Sequence, residues 1–405
     1  MPDKRVVITG LGVISSIGIG REEFWPALLE GRSGISEISS FDTTQYPVHF
    51  GGEVKNFRTE DFLSKRRIAS CGKASCFGIC AAKLALKDAG LEREELEAKR
   101  TAFCIGTTSG ESQIIQGLNY GWVKGGGEAV RPGLIPQSPT NMLSVSAGVA
   151  LGLHGPNFVI PNACAAGNFA IGYGYDLLRL GDTDLALAGG SDAFSKIAYT
   201  GFARMFAIAP QMCQPFDKNR KGMLVAEGAG LVVLERLEDA LERKAPIYAE
   251  VLGYGVSCDA RHMTAPFADG MKEAIENALA ESGVSPREVD YISAHGTGTA
   301  VNDREECGAI KKVFPDNYKK IPVSSIKSML GHTMGAASGI ETVACCLAIK
   351  NGNLPPTINY QTPDPECDID CVPNVSRRHK VDIALNNASA FGGNNSCLVL
   401  KRYPV

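Results

Sequence analysis

TAFCIGTTSG at residues 101–110 and VDYISAHGTGTA at residues 289–300 share one design: a short apolar run that breaks into a turn rich in Gly and Thr. An apolar run of this length bounded by a Gly-rich turn reads as a buried strand. Three further pairs repeat in the same order. KRVVITGLGVISS (4–16) is echoed by IYAEVLGYGVSCDA (247–260). TDLALAGGSDAF (183–194) is echoed by VDIALNNASAFGG (381–393), and AGLVVLERLE (229–238) by NSCLVLKRYP (395–404). Helix-compatible segments separate the strands, among them ASCGKASCFGICAAKLALKDAG (69–90), which ends on a glycine suited to a C-cap. Strands alternating with helices predict an α/β fold. Four echoes in one order predict two duplicated α/β halves, residues 1–245 and 246–405. The repeat unit is far too long for a solenoid. Two fused halves leave a cleft at their joint, where ligand sites are expected.

The bulk composition is compatible with this. The chain has 405 residues, enough for two domains, and 44% are hydrophobic, enough to fill a large core. The net charge of −3 carries no basic bias toward nucleic acid or anionic membrane. The first residues, MPDKRVVITGLG, lack the apolar region and cleavage site of a signal peptide. No run approaches the roughly 18 apolar residues of a membrane span. The 13 cysteines are scattered, and none form a CxxC. Cys76 and Cys80, like Cys367 and Cys371, are four apart, but no histidine or second pair lies near either, so no metal site is expected. Reduced thiols packed as small hydrophobes imply a reducing, cytoplasmic location.

Four stretches carry candidate chemistry. In VIPNACAAGNFAIGYGYDLL (159–178), a strand ends at Pro161 and Cys164 follows among Ala163, Ala165, Ala166 and Gly167. A cysteine at a strand-to-helix junction lies near free N–H groups and the positive end of the helix dipole. That setting is expected to lower its pKa, and small neighbours let a carbonyl approach. The same N–H groups can stabilise an oxyanion. In SAHGTGTAVNDREE (293–306), His295 precedes a turn whose glycines allow close backbone approach. Thr297 and Thr299 there could hold a polar chain. In VSSIKSMLGHTMGAASGIE (323–341), a strand-like start leads to Lys327, His332 and a small-residue helix bearing Glu341. A fourth stretch, NNASAFGGNNS (386–396), places Phe391 just before the turn residues Gly392 and Gly393. His49, His154, His262 and His379 lack such settings and read as structural, His262 in DARHMTAP least clearly.

Together, and in this order, Cys164 before AAG, His295 in HGTGT with Asp303 and Glu306, Lys327 and His332 in KSMLGHTMGAASG with Glu341, and Phe391 before GGNN form a specific set. The chain resembles the elongating β-ketoacyl-acyl carrier protein synthases, the type II ketosynthases of the thiolase-like superfamily, over essentially its whole length. The resemblance implies a thiolase-like fold, two duplicated α/β halves in a layered α-β-α-β-α arrangement, and a homodimer. It implies decarboxylative Claisen condensation in fatty acid elongation, with no bound cofactor and with substrates carried on the phosphopantetheine arm of an acyl carrier protein. By the same resemblance Cys164 is the nucleophile, and His295 and His332 bind the malonyl carbonyl and promote loss of CO₂. Lys327 and Glu341 order the histidine loop, and Asp303 and Glu306 support the loop of His295. Thr297 and Thr299 contact the phosphopantetheine arm. The N–H groups of Cys164 and Phe391 form an oxyanion hole.

The family's gate usually reads Phe-Gly-Phe-Gly-Gly. Here Ser389, Ala390, Phe391, Gly392 and Gly393 stand in its place. This departure keeps open a polyketide or other specialised acyl pathway, and a heterodimer with a related subunit. A thiolase would need a second cysteine in this loop, and a starter-type ketosynthase Asn in place of His332. A non-catalytic ketosynthase-like partner subunit would generally lack Cys164. Lys65, Arg66 and Arg67 in SKRRIAS, and Arg204 in GFARMFA, are candidates for docking an acidic carrier protein.

Overall fold

The computed structural model describes residues 4–404. The first half of the chain contributes β1 (Val6–Ser15), β2 (Thr101–Gly106), β3 (Asn157–Ile160), β4 (Leu185–Asp192) and β5 (Gly228–Arg236). The second contributes β6 (Ala249–Cys258), β7 (Tyr291–Ser293), β8 (Val323–Ser324), β9 (Ile383–Ser389) and β10 (Asn394–Lys401). Their order across the sheet is β8-β7-β9-β10-β6-β1-β5-β4-β2-β3. Read outward from the middle, the two sides are mirror copies. Each runs first, fifth, fourth, second, third in its own chain order. The four echoed pairs of the sequence occupy matching places: β1 and β6, β2 and β7, β4 and β9, β5 and β10. Within the sheet the sides meet at a short antiparallel contact, Val6 to Val251, Val7 to Glu250 and Ile8 to Ala249.

Five helices set the layers: α1 (Lys73–Ala89), α2 (Ala166–Leu180), α3 (Ala268–Ser282), α4 (Ala300–Val313) and α5 (Ala337–Asn351). Helices α2 and α5 touch strands of both sides and lie between them. Strand alternation shows why. Ala186 and Ala188 of β4 face this middle layer, where small side chains admit a helix closely. Leu185 and Leu187 face the other way, into a core shared with α1. On the second side, Ile383 and Leu385 of β9 share an outer core with residues of α3 and α4. The result is the α-β-α-β-α stack. Glycines let the middle helices meet the sheet: a Cβ at Gly230 would lie 2.3 Å from the amide nitrogen of Ile340.

Helix α1 is shorter than the 69–90 expected. It starts at Lys73, after Gly72 in extended conformation (φ −76°, ψ 172°). The buried carboxylate of Glu111 occupies the space there, and a Cβ at Gly72 would lie 1.9 Å from Glu111 Oε2. Gly90 (φ +68°) closes the helix as expected. No helix among the described residues is long and apolar enough to cross a membrane.

Candidate active site

Cys164 lies where β3 has ended and α2 is about to begin, in a short turn Ala163–Ala165. Ala163 takes a left-handed conformation, φ +47°, which turns the chain sharply. The second half repeats this device. After β8 comes the turn Met334–Ala336, with Met334 at φ +54°, and then α5. Gly335 therefore stands where Cys164 stands. A Cβ at Gly335 would be 2.5 Å from the backbone of Thr107, so no side chain fits.

Asp192, at the end of β4, clamps this second turn. It accepts hydrogen bonds from the Thr107 hydroxyl (2.7 Å) and from the N–H groups of Thr108 (2.7 Å), Ser109 (3.0 Å) and Gly335 (2.7 Å). Burial raises its pKa to about 6, against those four donors. Asp192 is a residue the sequence reading passed over.

The expectation of a low-pKa thiol is overturned. Burial pushes Cys164 up to about 12, and Asp192 adds to the rise. Lys327 and the residue's own N–H pull downward but do not prevail. The local chain supplies the helix end, but the second half of the protein covers the sulfur and removes its water.

His295 follows β7. Its N–H and that of Gly296 donate to Glu306 (2.7 and 2.8 Å). The N–H groups of Thr297 and Gly298 donate to Asp303 (3.0 and 3.2 Å). Two buried carboxylates thus hold the whole loop. Burial lifts Glu306 to about 7 and also raises Asp303. Gly298, at φ +77°, permits the turn. Lys327 is buried and donates to the carbonyl oxygen of His295 (2.7 Å) and to Glu341. Its ammonium also stands 3.5 Å from Nδ1 of His295. Nδ1 of His332 accepts from the N–H of Met334 (3.2 Å). Each Nδ1 faces a donor, so each ring carries its proton on Nε2. Burial holds both histidines well below the usual imidazole value, and Lys327 lowers both further. Two neutral rings, centroids 5.3 Å apart, thus present N–H donors.

A pocket of about 410 Å³ collects these groups. Cys164, His295, His332, Thr297, Thr299, Ser389, Ala390 and Phe391 all line it. The Thr297 and Thr299 hydroxyls are 2.9 Å apart. Ala390 packs in one apolar cluster with Cys164. Phe391 is 41% exposed, and its ring packs at 5.6 Å on Phe202 at the mouth. The left-handed turn of the gate lies at Gly392 (φ +88°) and Gly393 (φ +79°), whereas Ala390 keeps a negative φ. The N–H of Gly392 donates to the carbonyl of Met263 (2.7 Å). Nearby Thr264 and Pro266 line the pocket. Nδ1 of His262 shapes this segment by accepting from the N–H groups of Thr264 and Ala265 (3.1 and 3.0 Å). No spacing in DARHMTAP signals that use.

Phe202, Met205, Ala207 and Met223 add an apolar wall that has no motif. Arg204 is exposed between the wall residues Phe202 and Met205. Lys65 and Arg66 are exposed and Arg67 half-buried on a one-turn helix, Lys65–Ile68, and none of the three lines the pocket.

A buried thiol facing two neutral imidazole donors in the cleft of a duplicated, thiolase-like α/β fold defines a site for carbon–carbon chemistry on thioesters. Residues 3–240 match the Beta-ketoacyl synthase, N-terminal domain, and residues 248–361 match the Beta-ketoacyl synthase, C-terminal domain. The chain belongs to the β-ketoacyl synthase family. It is 42% identical to the 3-oxoacyl-[acyl-carrier-protein] synthase 2 of Synechocystis sp., over 99% of this chain and 98% of that one. Among solved structures it superposes on the ishigamide ketosynthase/chain length factor with a TM-score of 0.97 at 44% identity, covering 99% and 100% of the two chains. A type II PKS acyl-carrier protein in complex with its ketosynthase bound to the hexaketide gives 0.92 at 33% identity, again covering 99% and 100%.

Proposed function

We propose that the protein is a β-ketoacyl-acyl carrier protein synthase that extends an enzyme-bound acyl chain by two carbons. Cys164 takes the acyl group from its carrier as a thioester, releasing the carrier thiol. A malonyl thioester then enters, with its phosphopantetheine arm along Thr297 and Thr299. Its carboxylate leaves as CO₂, and the electron pair moves onto the thioester carbonyl, giving an enolate. The Nε2–H groups of His295 and His332 donate to that oxygen. The enolate carbon attacks the acyl carbonyl on Cys164. The oxyanion formed is held by the N–H groups of Cys164 and Phe391, and collapse expels the Cys164 thiolate. The product is 3-oxoacyl carrier.

One observation carries this reading: both imidazoles have a donor on Nδ1, so both present the donor an enolate needs. Within it, residues 1–245 form the half bearing the nucleophile and 246–405 the half bearing the histidines. Asp303, Glu306, Lys327 and Glu341 hold those histidines in place. The carrier protein docks near Arg204 and the Lys65–Arg67 helix, the chain works as a homodimer in the cytoplasm, and the pathway is fatty acid elongation.

Intact-mass measurement and CO₂ release test the roles. Cys164→Ala should stay unacylated. His295→Ala and His332→Ala should acylate but release CO₂ about a hundredfold more slowly. Acylation of the Cys164→Ala variant, or normal CO₂ release by both histidine variants, overturns the assignment.

A polyketide or other specialised pathway is the second reading. The Ser389-Ala390 departure at the gate favours it, as does the likeness to a ketosynthase/chain length factor.

A further inference from the structure

Behind the gate strand lies a small chamber that the reaction above does not use. Ser389 lines both this chamber and the main pocket, so it is the wall between them. Asn387 and Ser389 share the outer face of β9 with Leu385, because strand residues alternate. Asn395 of β10 lies directly opposite Ser389. Glu306 of α4 and Ser396 of β10, whose buried hydroxyl also lacks a partner, complete the polar side, and Ala388 of β9 with Met271, Ala274 and Ile275 of α3 cover the rest.

The polar groups here are not satisfied by protein. Asn387 is 5% exposed, yet neither Oδ1 nor Nδ2 has a hydrogen-bond partner. Oδ1 of Asn395, 1% exposed, has none either. Its Nδ2 is occupied by Asp259 (2.8 Å) and the carbonyl of Gly393 (3.1 Å). Leaving a buried amide unpaired is destabilising, so such groups are nearly always paired, with water where protein does not reach. The chamber has a volume of about 10 Å³, at the threshold of about 10–15 Å³ for a buried water. A water needs two to four polar partners. Asn387, Asn395, Ser389 and Glu306 supply four.

We propose that this chamber holds one resident water molecule, which bridges Asn387 and Ser389 at the end of the gate strand to Glu306, the carboxylate that holds the His295 loop. The water accepts from the Asn387 amide and the Ser389 hydroxyl. It donates to Asn395 Oδ1 and to a Glu306 oxygen. Both Glu306 oxygens already accept one N–H each, and each keeps a second lone pair. Phe391 lies two residues past Ser389, so the water pins the root of the gate. The departure at position 389 then exchanges an aromatic ring for a serine and a water.

A high-resolution crystal structure of the intact wild-type protein is the direct test. A single peak with contacts of about 2.7–3.1 Å to these groups supports the proposal. An empty chamber overturns it, and so does a peak with five or more oxygens near ~2.4 Å, which would be a cation. Asn387→Leu keeps the shape and removes the amide. With the water lost, amide exchange at Ala390 and Gly392 should rise about tenfold, the worth of one hydrogen bond. Ser389→Ala should give a smaller rise. Unchanged exchange, or a higher melting temperature in Asn387→Leu, would mean the chamber is dry and sink the proposal. Should that variant fail to fold, the crystal structure and Ser389→Ala still decide.

Discussion

The Lys327 ammonium stands 3.5 Å from Nδ1 of His295, 2.7 Å from the same residue's carbonyl oxygen, and in contact with Glu341. One buried cation therefore fixes a tautomer, anchors a loop and neutralises a carboxylate. Lys327→Met removes all three. Breaking a buried ion pair on one side costs about 3–5 kcal/mol. It also frees Nδ1, so the ring no longer favours the Nε2–H form. The double variant Lys327→Met with Glu341→Gln separates the effects. It should recover most of the stability in urea unfolding, while CO₂ release stays about a hundredfold down. Recovery of both would show that the lysine acts on stability alone.

The pH dependence of stability contains two opposed contributions. His295 and His332 hold folded values well below 6.5. The unfolded chain takes up protons near its free imidazole value that the native protein refuses, so stability falls as pH drops below about 6.5. Asp192 at about 6 and Glu306 at about 7 act the other way. Their stability is full below the free carboxylate value of about 4 and is lost as pH rises through about 6 to 7. Between roughly pH 4.5 and 6.5 these two pairs oppose each other, and below that the histidines act together with Asp184 and Asp368, which Arg100 and Lys311 hold down to about 2 and whose contribution is lost as pH falls from about 4. The urea midpoint should be flat across that window and fall steeply beneath it. In a variant with His295→Asn and His332→Asn, acidification from pH 7 to about 5 should raise the midpoint. A fall would remove the carboxylates from the account.

Asp192→Asn should move two readouts in opposite directions. Four donors converge on the carboxylate, and an amide nitrogen in either orientation would face two of them. Losing two buried acceptor bonds costs about 2–4 kcal/mol. The same change removes a negative charge that raises the Cys164 thiol. Alkylation of Cys164 at pH 8 should quicken while the protein becomes less stable. Slower alkylation would mean that Asp192 serves the thiol by geometry and not by charge.

The duplicated set of strands was legible because buried strands carry their pattern locally, whereas their order across the sheet was not. TDLALAGGSDAF and VDIALNNASAFGG each show a short apolar run closed by a turn. Cys164 and His295 stood out because each closely follows a strand end, and His332 because it stands in a Gly-rich turn among small residues. What the sequence withheld depends on contact between the halves. The thiol of Cys164 is governed by burial beneath the second half, which no local pattern records. Asp192 is one carboxylate after a strand, and its donors lie 83 to 143 residues away in the chain. Gly335 matches Cys164 only once β3 and β8 are seen in corresponding places. The start of α1 was misjudged because Glu111, remote in sequence, fills the position the helix would have used.

The gate gives the sharpest test of substrate class. A Cβ at position 390 would stiffen a hinge if that residue needed a positive φ. In the structure Ala390 has a negative φ, and the left-handed residues are Gly392 and Gly393. Ala390→Gly therefore relieves no strain in this conformation. It removes a methyl packed beside Cys164 and adds backbone freedom. Ser389→Phe does more, because a ring would crowd both the main pocket and the chamber behind it. Volume changes on that scale outweigh one methyl. The double variant Ser389→Phe with Ala390→Gly should shift relative rates toward straight saturated acyl carriers and away from branched and polyunsaturated ones, with a smaller change in turnover. The measurement is a competition among the three carrier classes, read by product mass. If the ratios match wild type, the gate departure has no bearing on selectivity, and ordinary fatty acid elongation gains over the specialised reading. If the ratios shift as expected, the Ser389-Ala390 pair is what admits bulkier chains.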